Sequence, residues 1–195
     1  MTPEGPLPGG IVVVRHGATE WSLSGRHTSR TDLPLVPAGQ WRAQGLAEVL
    51  DPDAFGRVLC SPLRRARETC ELAGFGGRAE LCDDLREWDY GEYEGLTSRE
   101  IWESRPEWVL WRDGCPGGET PEQVSARADR VLELVRAGET TIAFAHGHIL
   151  RVLAARWVEM DVTAGQRLVL DAGGLGLLGH EHEMRAIRGW NVPEP

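Results

Sequence analysis

The sequence contains no lysine, so all 21 of its basic residues are arginine, and its formal net charge is −9. A protein that binds nucleic acid or a membrane surface needs a broad basic face, which this charge balance does not favour. We therefore expect neither nucleic acid nor a membrane as a partner. A small anion needs only a local group of arginines, so phosphate binding is compatible with an acidic chain.

Cysteine and long apolar runs are also scarce. No apolar run approaches the ~20 residues of a membrane-spanning helix, and residues 1–10 lack the basic and apolar regions of a signal peptide. A chain of 195 residues can bury a core without a disulfide framework. We expect free thiols in a cytoplasmic protein, since no Cys-x-x-Cys pair occurs among Cys60, Cys70, Cys82 and Cys115.

Strand patterns alternate with helical patterns along the chain, which predicts an α/β fold. We expect a three-layer α/β/α domain with a mostly parallel central sheet over residues 11–195, after a flexible Pro- and Gly-rich lead-in over residues 1–10. Residues 88–118, rich in Trp, Gly and Glu, predict short helices and a lid. The predicted strands cover 11–14, 57–60, 81–87, 141–145, 167–170 and 184–187, and the predicted helices cover 37–50, 61–73, 121–136 and 147–157.

Two histidines follow apolar runs that are typical of buried strands. His16 comes after Arg15 at the end of the run 11–14, and His146 follows the run 141–145. Ligands of open α/β sheets bind beyond the carboxyl ends of the strands. The sequence therefore predicts that both histidines reach one crevice at this edge of the sheet.

Other segments supply the groups that phosphoryl chemistry needs. Arg65 opens a helix after the second strand, and with Arg15 it offers guanidinium groups that match a phosphoryl anion. The amides at a helix N-terminus favour the same anion. A neutral imidazole is a competent nucleophile, and a nearby carboxylic acid such as Glu87 protonates a leaving alkoxide.

Four motifs in this order resemble the histidine phosphatase (phosphoglycerate mutase-like) superfamily over about residues 11–160. Within that superfamily the chain looks like a bacterial branch of small acid phosphatases, and its loop 25–35 is similar to that of sugar bisphosphatases. The motifs are Arg15-His16-Gly17-Ala18-Thr19, Ser61-x-Leu63-x-Arg65-Ala66, Glu87-x-x-x-Gly91-x-x-Glu94-Gly95 and His146-Gly147.

The resemblance implies a phosphatase that hydrolyses small phosphate monoesters of metabolites through phosphohistidine, without a cofactor or a metal. His16 would be the nucleophile, Glu87 the proton donor and later the base, and three residues would bind the phosphoryl group: Arg15, Arg65 and His146. Further phosphate or substrate contacts are expected from Ser22, Thr28, Ser29, Gly147 and the amide of His148. Many relatives have Asn where this chain has Ser22, whose shorter hydroxyl reaches less far.

Hydrolysis is favoured over mutase chemistry. Cofactor-dependent mutases of the superfamily carry paired arginines and a lysine in a long insertion after the Glu-Gly motif. Here the segment after Gly95 is short and holds Arg99, Arg105 and Arg112, with no adjacent pair. We expect an acidic pH optimum, because neighbouring arginines keep His16 neutral and burial near phosphate keeps Glu87 protonated.

Several alternatives remain open on the sequence. Parts of this pattern are shared by a phosphoglycerate mutase, a specific sugar bisphosphatase, a non-catalytic phospho-ligand binding module and a metallohydrolase. The oligomeric state is open too, and a homo-oligomer is one alternative.

The segment 174–179 matches a dinucleotide fingerprint, but no helix follows, so we interpret it as a glycine-softened strand. The segment 180–183, His-Glu-His-Glu, is interpreted as a solvated turn rather than a metal site.

Overall fold

A single sheet of six strands organises residues 7–192, the part of the chain that the computed structural model describes. The strand order is β3-β2-β4-β1-β5-β6. The first four strands in this order are parallel, and β5 and β6 are antiparallel to their neighbours. The mostly parallel α/β architecture is confirmed. The strands are β1 (Ile11–Arg15), β2 (Arg57–Cys60), β3 (Glu80–Leu81), β4 (Thr141–Ala145), β5 (Leu175–Glu181) and β6 (Met184–Val192).

Helices cover both faces of the sheet, as the alternating pattern predicts. The α-helices are α1 (Glu20–Ser24), α2 (Pro37–Val49), α3 (Arg64–Leu72), α4 (Ser98–Ser104), α5 (Leu110–Asp113), α6 (Pro121–Glu133) and α7 (Gly147–Trp157). Short 3-10 helices are formed by Pro52–Ala54, Gly76–Arg78, Asp83–Leu85, Gly91–Tyr93 and Val162–Arg167. The predicted lid is therefore built from short helical turns, α4 and α5.

Strand β1 shows how the sequence divides the core into two layers. Val12 and Val14 join the apolar cluster formed with α2 and α3, whereas Ile11 and Val13 join the cluster formed with α6 and α7. Side chains alternate between the faces of a strand, so one apolar run supplies both layers. This explains why the run lacks the polar alternation of a half-exposed strand.

The pairing of β1 with β4 brings the two motif histidines together. The parallel register places Arg15 beside Ala145, and the next amide, that of His16, donates to the carbonyl of Ala145 at 2.9 Å. His146 directly follows Ala145, the last residue of β4. Both histidines therefore leave the sheet side by side at its carboxyl edge.

The structure corrects three boundaries. The strand predicted over 167–170 is wrong: the chain there ends a 3-10 helix, and the penultimate strand is β5 in the glycine-rich segment. In the predicted 81–87 stretch only Leu81 belongs to a strand, β3. Helix α3 begins at Arg64 with Leu63 as its N-cap, so the predicted start at Ser61 is three residues early. The Ser61 hydroxyl is bonded to His146 and also accepts the amide of Leu63.

Other interpretations are confirmed. The glycine-softened strand exists as β5, in part because a methyl at Gly176 would lie 2.6 Å from the ring of Trp190. The turn expected over 180–183 is confirmed only for His182 and Glu183, which lie between β5 and β6, whereas His180 and Glu181 belong to β5. All four cysteines are unpaired. Within residues 7–192, no helix is long and apolar enough to cross a bilayer.

The predicted lead-in lies partly outside the described residues, which begin at Leu7. Leu7 packs against the core cluster of α2 and α3. The amide of Gly9 donates to the carbonyl of Glu139 at 2.8 Å. The last residues of the predicted lead-in are thus attached to the edge of the domain.

Helix α2 touches the loop after β1 through two glycines. A methyl group on Gly39 would lie 2.3 Å from the carbonyl oxygen of Ala18, and one on Gly17 would lie 2.4 Å from the carbonyl oxygen of Gly39. Both distances are far below van der Waals contact. The close approach therefore sets where the chain passes immediately after His16.

We predict that Gly39→Ala lowers the free energy of unfolding, although alanine is the better helix former. The added methyl must push backbone against backbone, and overpacking of this kind costs about 1–3 kcal/mol. Gly77→Ala is the matched control, because a methyl there meets no atom within 4 Å. Urea unfolding of both variants is the measurement. Equal stability of the two variants would contradict the close-approach argument.

Candidate active site

His16 presents one ring nitrogen to solvent-accessible space. Its Nδ1 lies 2.7 Å from the carbonyl oxygen of Gly17. A carbonyl oxygen can only accept, so Nδ1 carries the proton and Nε2 holds a lone pair. The side chain is nearly buried, with 5% of the residue exposed, yet it lines a cavity.

The environment keeps this imidazole neutral. Burial, followed by the charges of Arg65 and Arg15, holds the pKa of His16 well below its usual 6.5. The hydrogen bond to Gly17 acts in the opposite direction and is the weaker influence. The expectation that neighbouring arginines keep His16 neutral is confirmed, with burial as the larger cause. A neutral imidazole is the form that attacks phosphorus.

His146 lies against His16 at the base of the site. The ring centroids are 5.1 Å apart, and Nε2 of His146 is 2.7 Å from the hydroxyl of Ser61. That hydroxyl also accepts the amide of Leu63. Nδ1 of His146 is buried and has no hydrogen-bond partner among residues 7–192.

Arg15 and Arg65 supply the positive charge around the histidines. Arg15 donates from Nη1 to the carbonyl of Leu170 at 2.5 Å. Arg65 is fully buried and donates to the carbonyls of the loop formed by Thr28, Ser29 and Thr31. Within the described chain, Nε of both arginines is buried without a partner. These N–H groups suit an oxyanion, since unpaired buried donors are costly.

Glu87 lines the cavity immediately before the lid segment 88–118. Its carboxylate accepts the amides of Trp88 at 2.9 Å, His148 at 3.0 Å and Ile149 at 2.9 Å. The last two amides belong to the N-terminus of α7, where negative charge is favoured. The expected contact of the His148 amide with phosphate is therefore corrected: in the structure this amide is used to hold Glu87.

An ion pair between Arg127 and Glu119 holds the backbone around Glu87. Arg127 on α6 forms two hydrogen bonds with the carboxylate of Glu119, at 2.6 and 2.7 Å. The same guanidinium donates to the carbonyls of Asp84 and Arg86. The carboxylate of Glu119 also accepts the amide of Asp89. The segment on both sides of Glu87 is thus fixed to helix α6.

A cavity of about 240 Å³ joins these groups. The predicted residues that line it include His16, Arg15, Glu87, Ser22, Thr28, Gly147 and His148. Arg65 and His146 lie fully buried behind this surface. Ser29 is corrected: it faces a neighbouring cleft, and its backbone contributes through the carbonyl that accepts Arg65.

The family model of the histidine phosphatase superfamily, branch 1, matches residues 11–193. The chain belongs to this superfamily. An acid phosphatase of Mycobacterium tuberculosis is 38% identical over 186 residues, covering 91% of this chain and 89% of the relative. The sedoheptulose 1,7-bisphosphatase of Saccharomyces cerevisiae is 34% identical, with 94% of this chain and 89% of the relative covered.

The solved structures agree with this assignment. The product of a Mycobacterium tuberculosis open reading frame superimposes with a TM-score of 0.89 at 35% identity. The match covers 95% of this chain and 98% of that chain. The protein is thus a member of the histidine phosphatase superfamily, with a phosphoglycerate mutase-like fold and a phosphatase function.

The structure adds residues to this histidine phosphatase site that the sequence argument missed. His27, Tyr90 and Arg151 line the same cavity as His16. Arg151 lies one helical turn after Gly147, so helical periodicity on α7 could have indicated it. His27 and Tyr90 offered no such pattern. Two tryptophans form a second layer behind the cavity, since Trp111 packs on His148 and Trp108 on His27.

We predict that this phosphatase loses stability as the pH falls below about 6.5. The folded state lowers the pKa of four histidines, chiefly by burial: His16, His27, His146 and His148. The unfolded chain then binds more protons than the folded chain, so each histidine costs up to about 1.4 kcal/mol per pH unit.

Urea unfolding at about pH 7.5 and about pH 5.5 measures this dependence. The free energy of unfolding is expected to be smaller at the lower pH. In His148→Asn, which removes one of the four groups, the difference between the two pH values should shrink. Identical unfolding free energies at both pH values would show that the buried histidines do not control stability.

Proposed function

We propose that this protein is a phosphoric monoester hydrolase that transfers the phosphoryl group of a small metabolite to His16 and then to water. The observation that carries the proposal is the position of His16, which lines the cavity and whose Nδ1 donates to the carbonyl of Gly17, so that Nε2 holds the lone pair. A binding module for phosphate would need cationic donors, but it would have no use for an unprotonated nucleophile beside a carboxyl group.

In the first step, Nε2 of His16 attacks phosphorus and forms an N–P bond while the ester P–O bond breaks. Arg15, Arg65 and His146 stabilise the negative charge on the phosphoryl oxygens. Glu87, in its protonated form, gives its proton to the departing alkoxide. The products of this step are the free alcohol, phosphohistidine and an ionised Glu87.

In the second step, water attacks the phosphohistidine from the position that the alcohol has left. The ionised Glu87 accepts a proton from this water as the new P–O bond forms and the N–P bond breaks. Inorganic phosphate departs, and His16 again holds a lone pair on Nε2. The cycle needs no reactant besides the ester and water.

Two observations support hydrolysis over mutase chemistry. Arg99, Arg105 and Arg112, the arginines after the Glu-Gly motif, are all exposed and are not among the residues that line the cavity. Arg105 donates to the hydroxyl of Tyr93, and Arg112 is paired with Asp113. These cations are therefore not arranged to hold a bisphosphate cofactor over His16. The four unpaired cysteines support a cytoplasmic location as part of the proposal.

Replacement of His16 tests the covalent step. His16→Ala should reduce hydrolysis of p-nitrophenyl phosphate by at least about 10³-fold, because the nucleophile is lost while the oxyanion donors remain. Wild-type activity should persist in EDTA. Rapid quenching of the wild type with labelled substrate should trap a base-stable, acid-labile phosphoprotein that His16→Ala does not form. Wild-type activity without this intermediate would indicate direct attack by water.

Replacement of Glu87 tests the proton donor. Glu87→Gln should slow hydrolysis of an alkyl phosphate more than that of p-nitrophenyl phosphate, by about 10²-fold or more, because an alkoxide needs a proton and nitrophenolate does not. We also propose an acidic pH optimum. Glu87 must be protonated to act as the donor, and His16 stays neutral in acid. Wild-type activity on the alkyl ester should fall as the pH rises above neutrality. Equal effects of Glu87→Gln on both esters would exclude the donor role.

A further inference from the structure

The reactive form of His16 depends on a carbonyl group, that of Gly17. The hydrogen bond from Nδ1 to this carbonyl keeps the lone pair on Nε2. Burial and the charges of Arg65 and Arg15 lower the pKa of His16, whereas the hydrogen bond to Gly17 raises it. The Gly17 carbonyl is thus a neighbour that favours positive charge on the ring.

Positive charge develops on this ring during the proposed reaction. When Nε2 of His16 bonds to phosphorus and the proton stays on Nδ1, the imidazole becomes a cation, because its lone pair now forms the N–P bond. A hydrogen bond from a charged donor is stronger than one from a neutral donor. The carbonyl of Gly17 therefore stabilises the phosphohistidine, and the transition state that leads to it, more than the resting enzyme.

Contacts on both sides of Gly17 hold this carbonyl in place. Glycine has more backbone freedom than other residues, so it does not fix the direction of its own carbonyl. On one side, the carbonyl of Ala18 accepts the amide of Val36 at 2.9 Å. On the other side, the amide of Gly17 donates to the hydroxyl of Thr69 at 3.0 Å, across 52 positions of the chain.

Thr69 lies on α3 and is fully buried, and its hydroxyl both donates and accepts. The hydroxyl donates to the carbonyl of Arg65 at 2.7 Å. A carbonyl can only accept, so the hydroxyl proton points to Arg65 and a lone pair faces the amide of Gly17. Threonines within helices commonly bond to the carbonyl four residues earlier. Here the same hydroxyl also connects the helix of a phosphate-binding arginine to the loop after the nucleophile.

We propose that Thr69 is a positioning residue: it holds Gly17 so that the Gly17 carbonyl keeps the proton of His16 on Nδ1 and stabilises the phosphohistidine. Thr69 is not among the residues that line the cavity, so it acts through Gly17 and not on the substrate. The kinetic consequence rests on the proposed phosphatase function. The effect on the proton of His16 does not depend on activity.

Removal of the hydroxyl tests this role. Thr69→Val should lower kcat and kcat/KM for p-nitrophenyl phosphate by about tenfold, the effect of one hydrogen bond that strengthens in the transition state. The inhibition constant of inorganic phosphate should not change, because loop carbonyls hold the guanidinium of Arg65. Thr69→Ser, which keeps the hydroxyl, should restore most of the activity.

The matched control is Thr141→Val. Thr141 is also buried, but its hydroxyl makes no hydrogen bond within residues 7–192, and it lies at the end of β4 opposite to His146. Its replacement should leave kcat/KM unchanged. Thr69→Ala removes the hydroxyl without placing a methyl group against the amide of Gly17, and it carries the same expectation if Thr69→Val does not fold.

The proton of His16 gives a readout besides activity. Correlation spectra of protein labelled with ¹⁵N-histidine distinguish the two neutral tautomers, and His16→Ala identifies the signal of His16. In the wild type Nδ1 should carry the proton, and in Thr69→Val the form protonated on Nε2 should become detectable. His27, whose Nδ1 donates to the carbonyl of Leu96, should keep its tautomer in both proteins.

Two results would overturn the positioning role. One is a pair of folded variants, Thr69→Val and Thr69→Ala, whose kcat/KM equals that of Thr141→Val. The other is a loss of kcat/KM that is matched by an equal loss of phosphate affinity, which would mean that Thr69 only supports the packing of Arg65. Neither result would affect the proposed function, which would fail instead if the wild type did not hydrolyse phosphate monoesters. In that case the tautomer of His16 would still test the role of Thr69.

Discussion

The structure depends on the parallel pairing of β1 with β4 and the burial of positive charge at the end of that pair. The pairing places His16 and His146 side by side, and Arg15 and Arg65 are buried around them. Because cations and low accessibility both disfavour protonation, the imidazoles stay neutral although the cleft is built to bind an anion. Within residues 7–192, Nε of Arg15 and Nε of Arg65 have no hydrogen-bond partner. A bound anion would complete the hydrogen bonds of these two groups.

Helix α7 connects Glu87 with the wall of the cavity. Its N-terminal amides hold the carboxylate of Glu87, and one turn later Arg151 lines the same cavity. The lid segment around Glu87 is fixed from the other side by Arg127 and Glu119. Three separate backbone amides therefore hold the carboxylate of Glu87, and the ion pair of Arg127 with Glu119 holds the backbone beside it. This suits a group that is proposed to act in both chemical steps.

Much of the fold and of the reacting site could be predicted from local patterns. The predicted strands 11–14, 57–60 and 141–145 correspond to β1, β2 and β4. They could be predicted because a strand that is buried on both faces needs an unbroken apolar run. The errors lie where local pattern and tertiary contact disagree. Ser61 has the chemistry of a helix cap but bonds to His146, and the glycines of β5 mark a strand because Trp190 packs over Gly176. The 167–170 stretch is apolar because Leu170 packs in the core and not because it forms a strand.

By itself the sequence determined the order of the elements and the candidates for the site, namely His16, the two arginines Arg15 and Arg65, and Glu87, since each belongs to a short motif. Only the tertiary structure decided which nitrogen of His16 and of His27 holds a proton, that the α7 amides bind Glu87, and that His27 and Arg151 line one cavity with His16. These properties arise from contacts between segments far apart in the chain, such as the one between His27 and Leu96, and no local pattern encodes such a contact.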